Sequence, residues 1–235
     1  MTQPTYGLVG RGRVASHMAR YLDLEAKPFI SWHRGDPSSP ERALAGADMI
    51  LLAISDEALE PFLTGHPELG TRPLVHFSGS LVLAGAHGLH PLMTFGPDPY
   101  DLETYRTIPF VEERGGPGFR SLFPGLRNPS WVVDPDLKPL YHALCVLAGN
   151  FTTLLWSKAF DDFEKRLGLP REALHPYLTQ TCGNTIAAGS DALTGPLSRG
   201  DVETVARDLR ALEGDGFADI YRAFASIFNL EEVAT

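Results

Sequence analysis

Cysteine is nearly absent: the 235-residue chain has two, Cys145 and Cys182, too few for a disulfide framework or a structural zinc site of their own. Positive charge is also in deficit. Twenty Lys and Arg face 29 Asp and Glu, a net charge of −9, which argues against a sequence-blind nucleic-acid binder. Long apolar runs are missing as well. The longest strongly apolar run, residues 49–54, is far short of the roughly 20 residues of a membrane-spanning helix. The start, Met1-Thr2-Gln3-Pro4, has neither the basic nor the apolar region of a secretory signal. These absences lead to the expectation of a soluble cytoplasmic protein with no nucleic-acid partner, no membrane partner and no metal.

Glycine and proline, by contrast, are abundant, at 23 and 19, and unevenly placed. Fourteen fall in residues 85–129 but only four in residues 130–169. That shift puts an expected domain boundary near residue 130, dividing a domain of residues 1–130 from one of residues 131–235. In the first, short apolar runs at 6–9, 28–32, 49–54, 74–77 and 107–112 alternate with helical stretches such as 14–22 and 40–45. A further short strand is expected just before Gly88. This alternation predicts an α/β fold, a parallel sheet with helices on its faces. In the second domain strand signals fade. Asp134-Pro135 reads as a helix start, and Gly168 and Pro170 as its stop near Leu167. Leu137, Leu140, Leu144, Ala148, Phe151, Leu155 and Ala159 recur at three- and four-residue spacing, a stripe expected to be buried. Further helices are expected at 170–188, 202–213 and 217–228, giving an all-helical domain.

Gly10-Arg11-Gly12-Arg13-Val14-Ala15 fits the pattern G-x-G-x-x-[GA] directly after the first strand. The first glycine permits a tight turn, the second lets backbone amides approach a pyrophosphate, and the small third residue lets helix and strand pack closely. The helix N-terminus then faces the phosphates. At the end of the second strand stands Ser31-Trp32-His33-Arg34, with no carboxylate for the ribose hydroxyls of NAD. A guanidinium pairs with a 2′-phosphate that a carboxylate would repel, so NADP(H) is the expected cofactor. The alternative has Arg34 solvated and Asp36 serving the ribose.

Ligands of open α/β sheets sit beyond the carboxyl ends of the strands. Ser55-Asp56, Ser78-Gly79-Ser80 and Gly88-Leu89-His90-Pro91 are expected there, the last in a loop. Asp56 would otherwise cap the next helix. His90 is the first candidate acid or base and His142 the second. His142, Val146 and Asn150 fall on one i, i+4 row, so Asn150 is a candidate substrate contact or a partner for buried backbone. Asp201 reads as a helix N-cap, and Arg199 offers a two-pronged match to a substrate carboxylate. The cysteines read as inert, and Glu231-Glu232 as a solvated tail.

Several of these stretches resemble one family: residues 10–14, 51–56 (LLAISD), 75–79 (VHFSG), 90–95 (HPLMTF), 141–150 (YHALCVLAGN), Asn184 and 193–201 (LTGPLSRGD). The chain resembles the uncharacterised Rossmann-like oxidoreductases related to pyrroline-5-carboxylate reductase, grouped as domain of unknown function 2520. The likeness runs through nearly the whole chain in order. The chain is shorter than the family pattern around the second strand and between Ser80 and His87. The resemblance implies an amino-terminal NADP-binding domain and a helical domain of the 6-phosphogluconate-dehydrogenase C-terminal-like type. It also implies a homodimer through those helices, with the segment around Thr194 and Arg199 near the substrate. A shorter stretch, Ser78 or Ser80 with His90-Pro91-Leu92-Met93, is similar to prephenate and arogenate dehydrogenases, where the histidine meets the hydroxyl that loses hydride.

The resulting expectation is an NADP(H)-dependent oxidoreductase acting on a small carbonyl, imine or hydroxy compound, with a carboxylate among the candidates by the chemistry of Arg199. Gly10, Arg11, Gly12, Arg13 and Val14 would hold the pyrophosphate, and His33 and Arg34 the 2′-phosphate. Ser55 and Ser78 would face the ribose and nicotinamide, while Asn150, Thr194 and Arg199 would meet substrate. The alternative is a non-catalytic NADP-binding dimer, a cofactor sensor or structural protein.

Overall fold

The structure, a computed structural model, describes residues 3–230; Glu231 and Glu232 lie outside them. The described residues form two compact units, which divide between Thr153 and Leu154.

The first unit is built on seven strands: β1 (Tyr6–Val9), β2 (Phe29–Trp32), β3 (Met49–Leu52), β4 (Leu74–His76), β5 (His87–Pro91), β6 (Phe110–Glu113) and β7 (Ser130–Val133). Their order is β2-β1-β3-β4-β5-β6-β7. Every neighbouring pair is parallel except β5 and β6. The connections carry α1 (Arg13–Leu24), α2 (Pro40–Ala43), α3 (Asp56–Gly65), α4 (Leu102–Thr107) and α5 (Phe119–Leu122). Both faces are covered, so the central strands are apolar on both sides. Met49 and Leu51 join a core with α1, α4 and α5, while Ile50 and Leu52 join a second core on the other face with Leu44 and Leu59.

Two strand expectations change. Thr107 ends α4, and β6 starts only after Pro109, because proline cannot donate to a ladder. β7 was not foreseen, although Trp131-Val132-Val133 has strand propensity. The composition break at 130 falls at its first residue, and the compact units divide only after Thr153.

After a 3-10 turn at Pro135–Leu137, a continuous helix comprises α6 (Lys138–Cys145), a π-helical segment (Val146–Phe151) and α7 (Thr152–Lys165). Asp134 makes no capping bond to it. Pro135–Lys165 is, by length and composition alone, long and apolar enough to cross a membrane, which the six-residue run at 49–54 did not suggest. The apolar stripe expected to be buried is not covered within one chain. Leu140 is 58% exposed and Leu144 55%, and Leu137 and Phe151 are each about half exposed. Periodicity marks the apolar face but does not supply what covers it.

The second unit continues with α8 (His175–Ala188), α9 (Pro196–Arg199), α10 (Val202–Ala211) and α11 (Phe217–Ile227). Val205, Leu209 and Ala225 form its small core. Asp201 caps α10 through the Thr204 amide at 3.1 Å.

Candidate functional site

Beyond the carboxyl ends of β1 to β4 lies a cavity of about 970 Å³. It is lined by Gly10, Arg11, Gly12, Arg13, Val14, His33, Arg34, Ser55 and Ser78. The nine residues singled out for a dinucleotide thus share one wall system. Gly10 has φ +124°, and a β-carbon there would stand 2.3 Å from the Ala53 carbonyl oxygen, so the turn between β1 and α1 requires glycine. Gly12 differs. Its φ is ordinary, −72°, and a β-carbon would meet nothing within 4 Å. Its bareness therefore leaves room for something outside the chain to approach the first amides of α1, which have no intrahelical partners.

At the end of β2 the chain folds back on itself. The Asp36 carboxylate accepts a hydrogen bond from the His33 amide at 2.7 Å, and its other oxygen lies 3.6 Å from His33 Nε2. Asp36 therefore shapes the turn, and Arg34 is exposed on the cavity lining. Sequence reasoning did not pick out the aromatic side of the same cavity, made by Trp32, Phe62 and His66. Phe62 and His66 lie 4.7 Å apart, and Trp32 is 6.0 Å from Phe62. The run Ser31-Trp32-His33-Arg34 contained half the signal; Phe62 comes from α3 and His66 from the residue that follows it, some 30 residues later.

Asp56, at the first position of α3, turns towards the loop after β4. Its Oδ2 accepts hydrogen bonds from Ser78 Oγ at 2.8 Å and Ser80 Oγ at 2.9 Å. Ser55, not Asp56, is the N-cap, and it makes no side-chain capping bond. Of the two serines, Ser78 lines the cavity and is buried.

His90 is on a strand rather than in a loop. β5 pairs with β4 through His76↔Gly88 and with β6 through His90↔Val111, so His90 falls level with Ser78. Pairing with residues 12 and 21 positions away decided this, and no local pattern records it. A β-carbon on Gly79 would lie 3.2 Å from His90 Nε2 and 3.0 Å from His142 Cδ2. The two candidate acid–base histidines therefore converge on one bare glycine. His90 Nδ1 is 2.6 Å from the Tyr141 hydroxyl. Burial, then His142 and Lys138, push His90 down to about 4, against the opposing pull of Asp56. It is neutral near pH 7, so its ring there offers one hydrogen-bond donor and one acceptor in place of an imidazolium's two donors.

A second buried group supports the same loop. In the row His76–Gly88–Glu113 across β4, β5 and β6, the missing glycine side chain leaves a gap. A β-carbon on Gly88 would stand 2.1 Å from Glu113 Oε1 and 2.6 Å from Lys138 Nζ. Lys138 fills it, pairing with Glu113 at 2.5 Å and donating to the carbonyls of Leu81 and, at 3.4 Å, Ser78. Lys138 is the only Lys or Arg between Arg127 and Lys158. A cation at a helix's amino end opposes the macrodipole, a signal of a dedicated partner that sequence reasoning missed. His76 is fully buried, and neither ring nitrogen has a hydrogen-bond partner among the described residues. Burial, then Lys138, lowers it to about 4.

Both histidines bind a proton more readily in the unfolded chain, near pH 6.5, than in the folded one, near 4. Stability is therefore expected to be fully present above about pH 6.5 and lost on acidification towards 4. Each histidine steepens the slope by up to about 1.4 kcal/mol per pH unit. Urea unfolding at a series of pH values checks this; a flat profile between pH 6.5 and 4 contradicts it.

The π-helical segment replaces i→i+4 by i→i+5 bonding, so the row through His142, Val146 and Asn150 is not the regular one expected. Asn150 is exposed. In the second unit Thr194 is exposed before Gly195, and Arg199 is exposed at the last position of α9. Cys145 is half-buried and Cys182 exposed. Among the described residues, no group of three or more His, Cys, Asp or Glu is arranged to hold a metal ion.

A largely parallel sheet in this order, with a glycine turn after its first strand leading into a cavity at the strand ends, defines a Rossmann-like fold followed by a helical region. Residues 112–227 match the family model described as "Domain of unknown function (DUF2520)", in keeping with the resemblance read from the sequence. Three solved structures are similar along nearly their whole lengths. A proposed NADP oxidoreductase from Bacteroides fragilis has a TM-score of 0.80 at 19% identity, covering 98% of each chain. Pyrroline carboxylate reductase from Plasmodium falciparum, with NADP bound, has a TM-score of 0.60 at 14% identity, covering 99% of this chain and 100% of its own. An imine reductase variant from Myxococcus stipitatus in complex with NAD+ has a TM-score of 0.59 at 17% identity, covering 97% and 93%. At these identities the likeness is one of fold. No curated protein matches the chain.

Proposed function

We propose that the chain is an NADP(H)-dependent oxidoreductase acting on a small carbonyl, imine or hydroxy compound. The observation that carries this reading is the single cavity of about 970 Å³ in which the glycine turn, Arg34, Ser55 and Ser78 meet. Gly12 leaves the amide end of α1 open to a pyrophosphate. Arg34 supplies a guanidinium for a 2′-phosphate, and the carboxylate that would repel that phosphate, Asp36, is turned onto His33. NADP(H) would supply or accept the hydride. Ser78, held by Asp56, borders the cavity one residue from Gly79, where His90 and His142 converge. A neutral imidazole there stabilises negative charge developing on a substrate oxygen or nitrogen by donating a hydrogen bond. The solved structures of similar fold include an imine reductase and a pyrroline carboxylate reductase, consistent with this substrate class.

The uncovered stripe favours a homodimer. Leu137, Leu140, Leu144, Leu147, Phe151 and Leu154 follow 3-4-3-4-3 spacing and are each about half exposed, the pattern of a helix seam that meets another helix. Thr194 and Arg199 remain the proposed substrate contacts of the helical unit.

The test is NADPH consumption against a panel of small cyclic imines, 2-oxo acids and aldehydes. Turnover of at least one compound is expected, falling about 10²-fold or more in His90→Ala. NADPH binding without turnover of any compound would favour a cofactor sensor, and unchanged turnover in His90→Ala removes His90 from the chemistry.

A further inference from the structure

We propose that Tyr141 is a positioning residue whose hydroxyl holds His90 in the tautomer with its proton on Nε2, beside Gly79. This rests on the reading that His90 faces the reacting group.

A neutral imidazole has one donor and one acceptor nitrogen, and its neighbours decide which is which. Tyr141 Oη lies 2.6 Å from His90 Nδ1, with the two rings nearly perpendicular at 80°. Two arrangements fit that distance. In one, Tyr141 donates to Nδ1, and Nε2 carries the proton. In the other, Nδ1 donates to Tyr141, the tyrosine proton goes to another acceptor, and Nε2 is a bare lone pair.

The surroundings distinguish them. Burial raises the Tyr141 hydroxyl well above its ordinary value, with Cys145 as the next cause, so the hydroxyl keeps its proton and must place it. Its other polar neighbour is the Cys145 side chain, one helical turn on, and sulfur is a weak acceptor. The imidazole nitrogen is the better one. Cys145 Sγ–H can then donate to Tyr141 Oη, giving a chain from Cys145 through Tyr141 to His90 in which each hydrogen has one acceptor.

Tyr141 is also held firmly enough to impose the choice. It sits one turn after Lys138, whose ammonium is tied to Glu113 and to the loop carbonyls of Ser78 and Leu81. The start of α6 is therefore pinned to β6 and to the loop after β4, on either side of the strand that carries His90. The two arrangements have opposite chemical meaning at Nε2. With the proton there, His90 is a donor to an atom gaining negative charge, as in reduction of a carbonyl or imine. Without it, His90 is an acceptor for a hydroxyl.

The test is histidine-15N NMR of the full chain near neutral pH, with the His90 signals identified by their loss in His90→Gln. The expected wild-type spectrum has a pyridine-type Nδ1 and a protonated Nε2. Tyr141→Phe, which removes only the hydroxyl, should bring both nitrogens towards a tautomer average, while Cys145→Ala should leave them as in wild type. A wild-type proton on Nδ1, an unchanged tautomer in Tyr141→Phe, or a tautomer reversed by Cys145→Ala each overturns the proposal. The wild-type spectrum decides even if Tyr141→Phe does not fold. NADPH titration of the same samples reports separately on the cofactor reading, which can fail while the tautomer assignment holds.

Discussion

Lys138→Met is expected to lower stability by about 3–5 kcal/mol, because it leaves a buried carboxylate without its partner. The Glu113 side chain is only 11% exposed and sits across Gly88, and its other close neighbour, His76 Nε2 at 3.8 Å, belongs to an imidazole held neutral near pH 7 and so carries no compensating charge. The substitution also removes the donor to the Leu81 and Ser78 carbonyls. In a chain of this size, each kcal/mol corresponds to roughly 2–4 °C in Tm, so a loss on the order of 10 °C is anticipated. Glu113→Gln alone should also destabilise, by leaving the ammonium unpaired. The double variant Lys138→Met/Glu113→Gln should recover much of the loss, keeping a deficit of about 1–2 kcal/mol for the unsatisfied carbonyls. A double-mutant cycle by urea unfolding measures this coupling. Additive single effects would mean that the pair does not hold the loop.

The second large effect contrasts one substitution at two nearby glycines. Gly10→Ala puts a β-carbon against the Ala53 carbonyl at a positive φ, and is expected to destabilise the fold by about 1–3 kcal/mol or more. Gly12→Ala meets open space, and its melting temperature should stay near wild type. Its added methyl would occupy the approach of a pyrophosphate to the α1 amides, so NADPH affinity should fall about 10-fold or more. Melting curves and calorimetric titration of the two variants separate these outcomes. A Gly12→Ala protein that binds NADPH like wild type would remove the phosphate from that turn.

The parts of the site legible in the sequence were those encoded locally. The turn from Gly10 to Val14 joins a strand to a helix within a few residues, and the polar residues ending β3 and β4 follow apolar runs directly. Their gathering in one cavity follows from the parallel order. What escaped depends on pairing across the chain. His90 looked like a loop residue because its strand is defined by β4 and β6, not by its own sequence. Tyr141 meets His90 over 51 positions, and Lys138 reaches residues 57 and 60 positions away. β7 was hidden by the proline-rich chain before it and by its dependence on β6 for pairing. The stripe from Leu137 had the right spacing for a helix face, but spacing cannot tell burial within a chain from burial against another.

The central claim is that the strand-end cavity is an NADP(H) site with Arg34 at its 2′-phosphate end. Calorimetric titration of the wild-type chain with NADPH and NADH, at one salt concentration, tests it most directly. A charge-assisted contact to the 2′-phosphate is worth about 1.5–3 kcal/mol, so NADPH should bind roughly 10- to 100-fold more tightly than NADH, and Arg34→Ala should bring the two together. Equal wild-type affinities, or no NADPH binding at millimolar concentration, would contradict it.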